Sequence, residues 1–326
     1  MRKTLAGACA AAIALSGCAV VRHASAVPPP HSAHAHAARS AAASARTASA
    51  TRTGKTKIRV GVRELSFPPS WSGVSRFQAA IGRRPQLALI YVGWNELFPE
   101  QPTTLAAKHG VEPLLQIQPG STTRLSGIAA GRDDAYLRAF AARVHAFRHQ
   151  VVIGFGHEMN GTWYPWGFHH QSPKSFVAAW RHIVTLFRRA GAKNVTWIWT
   201  VSHNLRHTGP LRSYWPGAKY VNWVGIDGYY SKPSDTFRTI FSPAISRIRR
   251  FTKAPILLSE TAAGRRTGHQ ARDISDEFAG IHRDHLLGLV WFDVHQHGGQ
   301  LQQDWRLEDS KSAVTAFRRA LRRYAR

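Results

Sequence analysis

The chain has 326 residues, 44% of them hydrophobic, which excludes a disordered or fibrous class and provides enough apolar mass for a sizeable core. Its formal net charge is +26, but seven of the 44 basic residues and none of the 18 acids precede Lys57. That leaves 37 against 18 in the body, a surplus of 19 that attracts polyanions. The basic residues fall as arginine pairs on helix-like segments (Arg188-Arg189, Arg249-Arg250, Arg318-Arg319, Arg322-Arg323) with no recognised nucleic-acid module. Solvated helix faces are therefore the expectation, and no nucleic-acid partner.

In chain order, Arg2 and Lys3 followed by an apolar stretch from Leu5 to Leu15 predict an export signal too short to span a bilayer. Leu15-Ser16-Gly17-Cys18 resembles a bacterial lipobox, which makes residues 1–18 a lipoprotein signal peptide with Cys18 as the lipidated residue. Cys9 and Cys18 are the only cysteines, so this reading leaves no internal disulfide. Residues 19–56 are an Ala/Ser/His/Pro-rich linker that cannot bury enough apolar surface to offset chain entropy. His31, His34 and His36 lie in it and are read as spacer rather than metal site. The expectation is an extracytoplasmic protein held to a membrane by lipid, and a monomer.

From 57 to 326 short apolar runs alternate with segments of helical period, the signature of βα units. The predicted strands are Ile58–Val62, Leu87–Val92, Pro113–Ile117, Val151–Gly156, Val195–Val201, Val221–Ile226, Pro255–Ser259 and Gly288–Phe292. Most are continuous apolar runs, as parallel strands buried on both faces require. Helices are predicted at Asp133–His149, where Asp133 or Asp134 can cap the start, and at Pro173–Ala190, Thr236–Phe251, Ala271–Asp284 and Ser310–Tyr324. The sum is an α/β chain forming a (β/α)8 TIM barrel. The alternative, a doubly wound open sheet, would show a Gly-rich phosphate turn after its first strand, and Gly61 alone is not one.

Two predicted strands run into glutamate: the fourth into His157-Glu158 and the seventh into Glu260. A carboxylate at the tip of an apolar strand costs free energy unless it is paired or used. Structural salt bridges could account for one. Two, both where a barrel keeps its chemistry, point to a pair of catalytic carboxylates. No cofactor is called for, and no metal: Gly161 stands where a zinc-protease helix would need its second histidine.

The run His157-Glu158-Met159-Asn160-Gly161-Thr162-Trp163-Tyr164-Pro165-Trp166-Gly167 resembles the signature of glycoside hydrolase family 26, best known for β-mannanases. The resemblance implies a retaining endo-β-glycanase acting on β-1,4-mannan or a related polysaccharide, with Glu158 as acid/base and Glu260 as nucleophile. Mixed-linkage β-1,3-1,4-glucan, β-1,3-xylan and a non-catalytic glycan-binding role are the alternatives. It also implies that His157 orients the acid/base or touches substrate, and that Asp227 and Tyr229 form the family's Asp-x-Tyr, the tyrosine bonding the nucleophile. Trp291 becomes the aromatic floor under the cleaved sugar, and Trp163 and Trp166 line neighbouring sugar sites. Asp293 to His297, with Asp304 and Trp305, are expected as a polar border of the cleft. The chain departs from the family in three places. Gly154 stands where an arginine is usual, Gln116 or Gln118 stands in the region of the third-strand histidine, and Thr261-Ala262 follow the nucleophile.

Overall fold

The computed structural model describes residues 58–206, 208–296 and 303–325. The signal peptide, Cys18, the linker and His297 lie outside the described residues. The first quarter of the barrel comprises β1 (Arg59–Glu64), α1 (Ser72–Ile81), β2 (Leu87–Gly93) and α2 (Glu100–Lys108). Next come β3 (Glu112–Gln118), α3 (Leu125–Ala129), α4 (Asp134–Phe147), β4 (Val151–Phe155) and α5 (Pro173–Arg189). Then follow β5 (Val195–Ser202), β6 (Trp223–Tyr230), α6 (Phe237–Ile240), α7 (Ser242–Arg249) and β7 (Ile256–Ala263). Finally α8 (Gln270–Arg283), β8 (Gly288–Asp293) and α9 (Lys311–Tyr324) close the chain. The eight strands are all parallel, and β8 pairs with β1 to close the barrel.

Every predicted strand is present, and β6 and β7 run four residues further than expected, so Asp227, Tyr229 and Glu260 lie within strands rather than beyond them. The predicted helix Thr236–Phe251 is two, because Pro243 in the first turn of α7 has no N–H for the preceding turn. Neither predicted aspartate caps α4. Asp133 makes no capping bond and accepts from Trp94 Nε1 at 3.2 Å, while Asp134 meets His182 and Arg138.

Side chains alternate between lumen and helix layer, and this parity decides which reach the site. Leu87, Leu89, Leu114, Val152, Ile198, Leu257 and Val290 form the apolar plug of the lumen. A larger apolar layer fills the space between strands and helices, with Phe140, Phe176, Trp180 and Phe317 fully buried. Counting by twos from the plug toward the C-terminal ends of the strands gives Tyr91, Gln116, Gly154, Thr200 and Phe292 as the next lumen positions.

Candidate active site

Glu260 breaks that count, since it stands three residues beyond Leu257 and yet faces the same lumen. The pairing explains it: Ile226 sits opposite Leu258 but Asp227 opposite Glu260, so Ser259 is an extra residue. Such a bulge re-aims the side chains that follow it. Ser259 and Glu260 both turn inward as a result, and Ser259 Oγ donates to Asp227 Oδ1 at 2.6 Å.

Three groups converge on Glu260. Tyr229 donates to Oε2 at 2.7 Å, Tyr91 donates to Oε1, and the Arg63 guanidinium acts on it through space. Arg63 is itself buried, held by bonds from Nη1 to the carbonyls of Glu64 (2.5 Å) and Phe67 (2.9 Å), with its charge 5.5 Å from the centre of the Tyr91 ring. Burial pushes the Glu260 carboxyl above its ordinary range, and the two hydroxyls and the arginine pull it back.

Glu158 approaches from the loop after β4. Its φ of 53° is the left-handed region that side-chain-bearing residues avoid, so the loop holds it against a backbone cost of order 1 kcal/mol. The family-like run is largely the apparatus of that constraint. Asn160 is buried and bonds Ser202 both ways, Nδ2 to the carbonyl at 3.1 Å and Oδ1 from the N–H at 2.9 Å. Trp166 donates to the His157 carbonyl at 2.8 Å. A Cβ at Gly161 would overlap the Trp163 ring, and one at Gly167 the Gly161 carbonyl. Trp163 itself donates to Glu158 Oε2 at 2.7 Å. Burial first, and the Glu260 charge second, raise the Glu158 carboxyl to about 8, while Trp163 and Ser202 oppose the rise. The site thus pairs a carboxyl that keeps its proton at neutral pH with one that hydroxyls and a cation draw toward the anion.

Several expectations need correction. Trp291 lies in the helix layer, not under a sugar: it is fully buried, edge-on to Phe317 at 5.5 Å and bonded to the Trp305 carbonyl. Parity puts Phe292 in the lumen instead, 5.7 Å from the Tyr229 ring. Trp166 is 4% exposed and stacked on Tyr164 at 4.3 Å, so it props the loop rather than lining a sugar site. Asp227 is 1% exposed and sits beneath the glutamates, where burial and their charges push it well above the carboxylate range. His157 is buried, faces Tyr164 Oη at 3.1 Å, and is driven by burial down to about 3, so it is neutral and touches Tyr164 instead of Glu158. Asp293 and Trp305 are buried, Trp305 with its ring 4.9 Å from that of Tyr229, while His295 and Asp304 are half-buried. Gln116 lies under the site, donating to Thr200 Oγ1 at 2.9 Å in the space a side chain at 154 would need.

Sequence reasoning missed Tyr91 and Arg63. Tyr91 is hidden in the apolar run LALIYVG, and its signal was its even spacing from Leu87 and Leu89. Arg63 offered only a weaker signal, a cation that directly follows the apolar Val60-Gly61-Val62 of β1.

Comparison with known proteins adds a likeness of sequence and of fold. The family described as Glycosyl hydrolase family 26 matches residues 134–255, which span β4 with its loop and β6. Over those residues the chain is similar to glycoside hydrolase family 26. Endoglucanase H of Acetivibrio thermocellus is 29% identical over 269 residues, covering 78% of this chain and 29% of that protein. Mannan endo-1,4-beta-mannosidase A and B of Caldalkalibacillus mannanilyticus is 30% identical over 115 residues, 33% of this chain and 22% of that one. The chain therefore spans under a third of the length of either relative. Among solved structures, the catalytic domain of the Bacillus sp. JAMB-750 GH26 endo-beta-1,4-mannanase superposes with a TM-score of 0.63 at 15% identity, over 82% of this chain and 86% of that one, a likeness of fold.

Proposed function

We propose that this barrel is a retaining endo-β-glycanase in which Glu260 attacks the anomeric carbon and Glu158 protonates the departing glycosidic oxygen. In the second half of the cycle Glu158 takes a proton from the water that releases the glycosyl group from Glu260. The observation that carries the reading is the division of labour between two buried carboxyls: Glu158, raised to about 8 by burial and by the charge of Glu260, and Glu260, supplied with two hydroxyl donors and a cation. A glycan-binding protein without catalysis has no need to bury two acids against one another.

Two substrates lead. Resemblance of the Glu158 loop favours β-1,4-mannan, and the likeness to endoglucanase H over 78% of the chain favours a β-glucan. Mannan, mixed-linkage β-glucan and β-1,3-xylan offered separately to the full chain, with reducing ends counted and the anomer of the first product read by NMR, test the reading. Hydrolysis with retention is expected on one of them. Glu158→Gln and Glu260→Ala should each lower turnover by about 10³-fold with the fold intact. Near-normal turnover in either variant overturns the assignment. Lipidation of Cys18 belongs to the same proposal: detergent-phase partitioning of the exported protein should be lost in Cys18→Ser.

A further inference from the structure

In a (β/α)8 barrel the helices end at the face opposite the one where the strands end, so each helix C-terminus lies on the side away from Glu158 and Glu260. That far face is strongly and almost uniformly basic. Arg188 and Arg189 end α5, Arg249 and Arg250 border the end of α7, and Arg322 and Arg323 end α9; all six are exposed. The loops into the next strands add Arg84, Arg148, Lys193 and Lys253, also exposed. The acids on this side among the described residues are Glu112, paired with Arg59 at 2.6 Å, and Asp284, paired with Arg283 at 2.9 Å. By contrast, Glu96, Glu100, Asp133, Asp235, Glu308 and Asp309 all lie on the mouth side, in strand-to-helix loops or first helical turns. Helix dipoles favour a cation at each C-terminus, but they do not account for the basic loop residues or for the near absence of acids.

We propose that this face docks on an anionic phospholipid bilayer and thereby points the catalytic mouth away from the membrane. The shape of the charge favours a lipid plane. The cations are spread around the rim of a barrel instead of gathered in a groove that could track a nucleic-acid strand. Among the described residues the exposed large apolar side chains, Leu65 and Leu97, follow β1 and β2 on the mouth side. The rings of the basic face, Tyr220, Trp223 and Tyr324, are half-buried and each has an arginine over it, Arg188, Arg59 and Arg323, rather than a face open to a base. With no exposed large apolar side chain there among the described residues, the face has no anchor to drive among acyl chains. Binding is therefore peripheral and salt-reversible, and each arginine adds an increment that falls off within a Debye length.

The test is sedimentation of the full chain, carrying Cys18→Ser so that no acyl chain contributes, with vesicles of 30% phosphatidylglycerol in phosphatidylcholine and with phosphatidylcholine alone. Binding to the anionic vesicles only, lost on raising salt, is expected. The triple variant Arg189→Gln, Arg250→Gln, Arg323→Gln should weaken it about fivefold per charge, about 100-fold together. The mirror variant Lys174→Gln, Arg238→Gln, Lys311→Gln removes the same charge from the mouth-side turns of α5, α6 and α9 and should stay within about twofold. Equal loss in the two triples, with melting temperatures unchanged, overturns the proposal in favour of net charge alone. Failure to bind anionic vesicles overturns it outright. Single-stranded DNA that binds more tightly than the vesicles, and is weakened by the first triple, reassigns the face to nucleic acid.

Discussion

A Cβ at position 154 would overlap the Gln116 amide, whose own bond to Thr200 fixes it across the lumen. An arginine there would require Gln116 to swing away and give up that bond, and the positive charge near Glu260 comes from β1 through Arg63 instead. This makes Arg63 a positioning residue whose removal has a defined signature. Its charge lowers the Glu260 pKa, so Arg63→Met should raise it and move the acidic limb of the kcat/KM–pH profile upward, while Arg63→Lys keeps part of the effect. A merely structural arginine would lower kcat/KM without moving the limb. Trp163 gives the complementary case. Its N–H stabilises the Glu158 anion, so Trp163→Phe should raise the Glu158 pKa further and move the basic limb, near pH 8, upward as well. A basic limb that moves down would count against Glu158 as the proton donor.

At the scale of elements, the Glu158 loop is fastened to β5 chiefly by Asn160. Asn160→Ala would leave the Ser202 N–H buried without its acceptor, which costs about 2 kcal/mol. Turnover should fall with it, because the left-handed backbone at Glu158 relaxes once the loop is free; urea unfolding and kcat on the same preparation check both. The strands were legible in the sequence because parallel strands buried on both faces are continuous apolar runs. That same continuity erased the in–out alternation. With no polar residue to mark phase, Trp291 and Phe292 could not be told apart, and only pairing with the neighbours puts Phe292 inward. The Ser259 bulge was invisible for the same reason, although Glu260 was found without it. The signature loop was legible as a unit but not in its parts, since Trp166 and Asn160 hold the loop's backbone in place. Helices α1, α2 and α3 lacked sequence cues: none has a side-chain cap, and α3 is five residues long.

For the molecule as a whole, holding protons on buried acids has a consequence for stability. Burial raises Glu158 and Glu277 to about 8 and pushes Asp227 and Asp293 well above the ordinary range. In the unfolded chain these groups release their protons near pH 4 to 4.5, about the values of free carboxyls. Between roughly pH 4.5 and 8 these four groups therefore bind more protons in the folded state than in the unfolded one and make stability fall as pH rises, by at most ~1.4 kcal/mol per unit for each, while His157 and His203, kept neutral by burial, offset part of the fall below about pH 6.5. Below that window the sign reverses, because Asp304, held down by its bonds with Arg306, loses its pairing on protonation, and the arginine-rich surface repels itself more strongly as the exposed carboxylates neutralise. A melting temperature that peaks near pH 5 and declines toward pH 8 is the expected profile. Glu277 isolates the effect, since it lies between β7 and α8 with Thr261 as its partner, away from the lumen. Glu277→Gln keeps its shape and removes the titration, so it should gain about 1–2 kcal/mol at pH 8, gain little at pH 5, and flatten the decline. A profile that rises from pH 5 to 8, or a Glu277→Gln gain that is equal at both ends, would mean that these carboxyls are ionised in the folded protein, and the proton assigned to Glu158 would lose its physical basis with them.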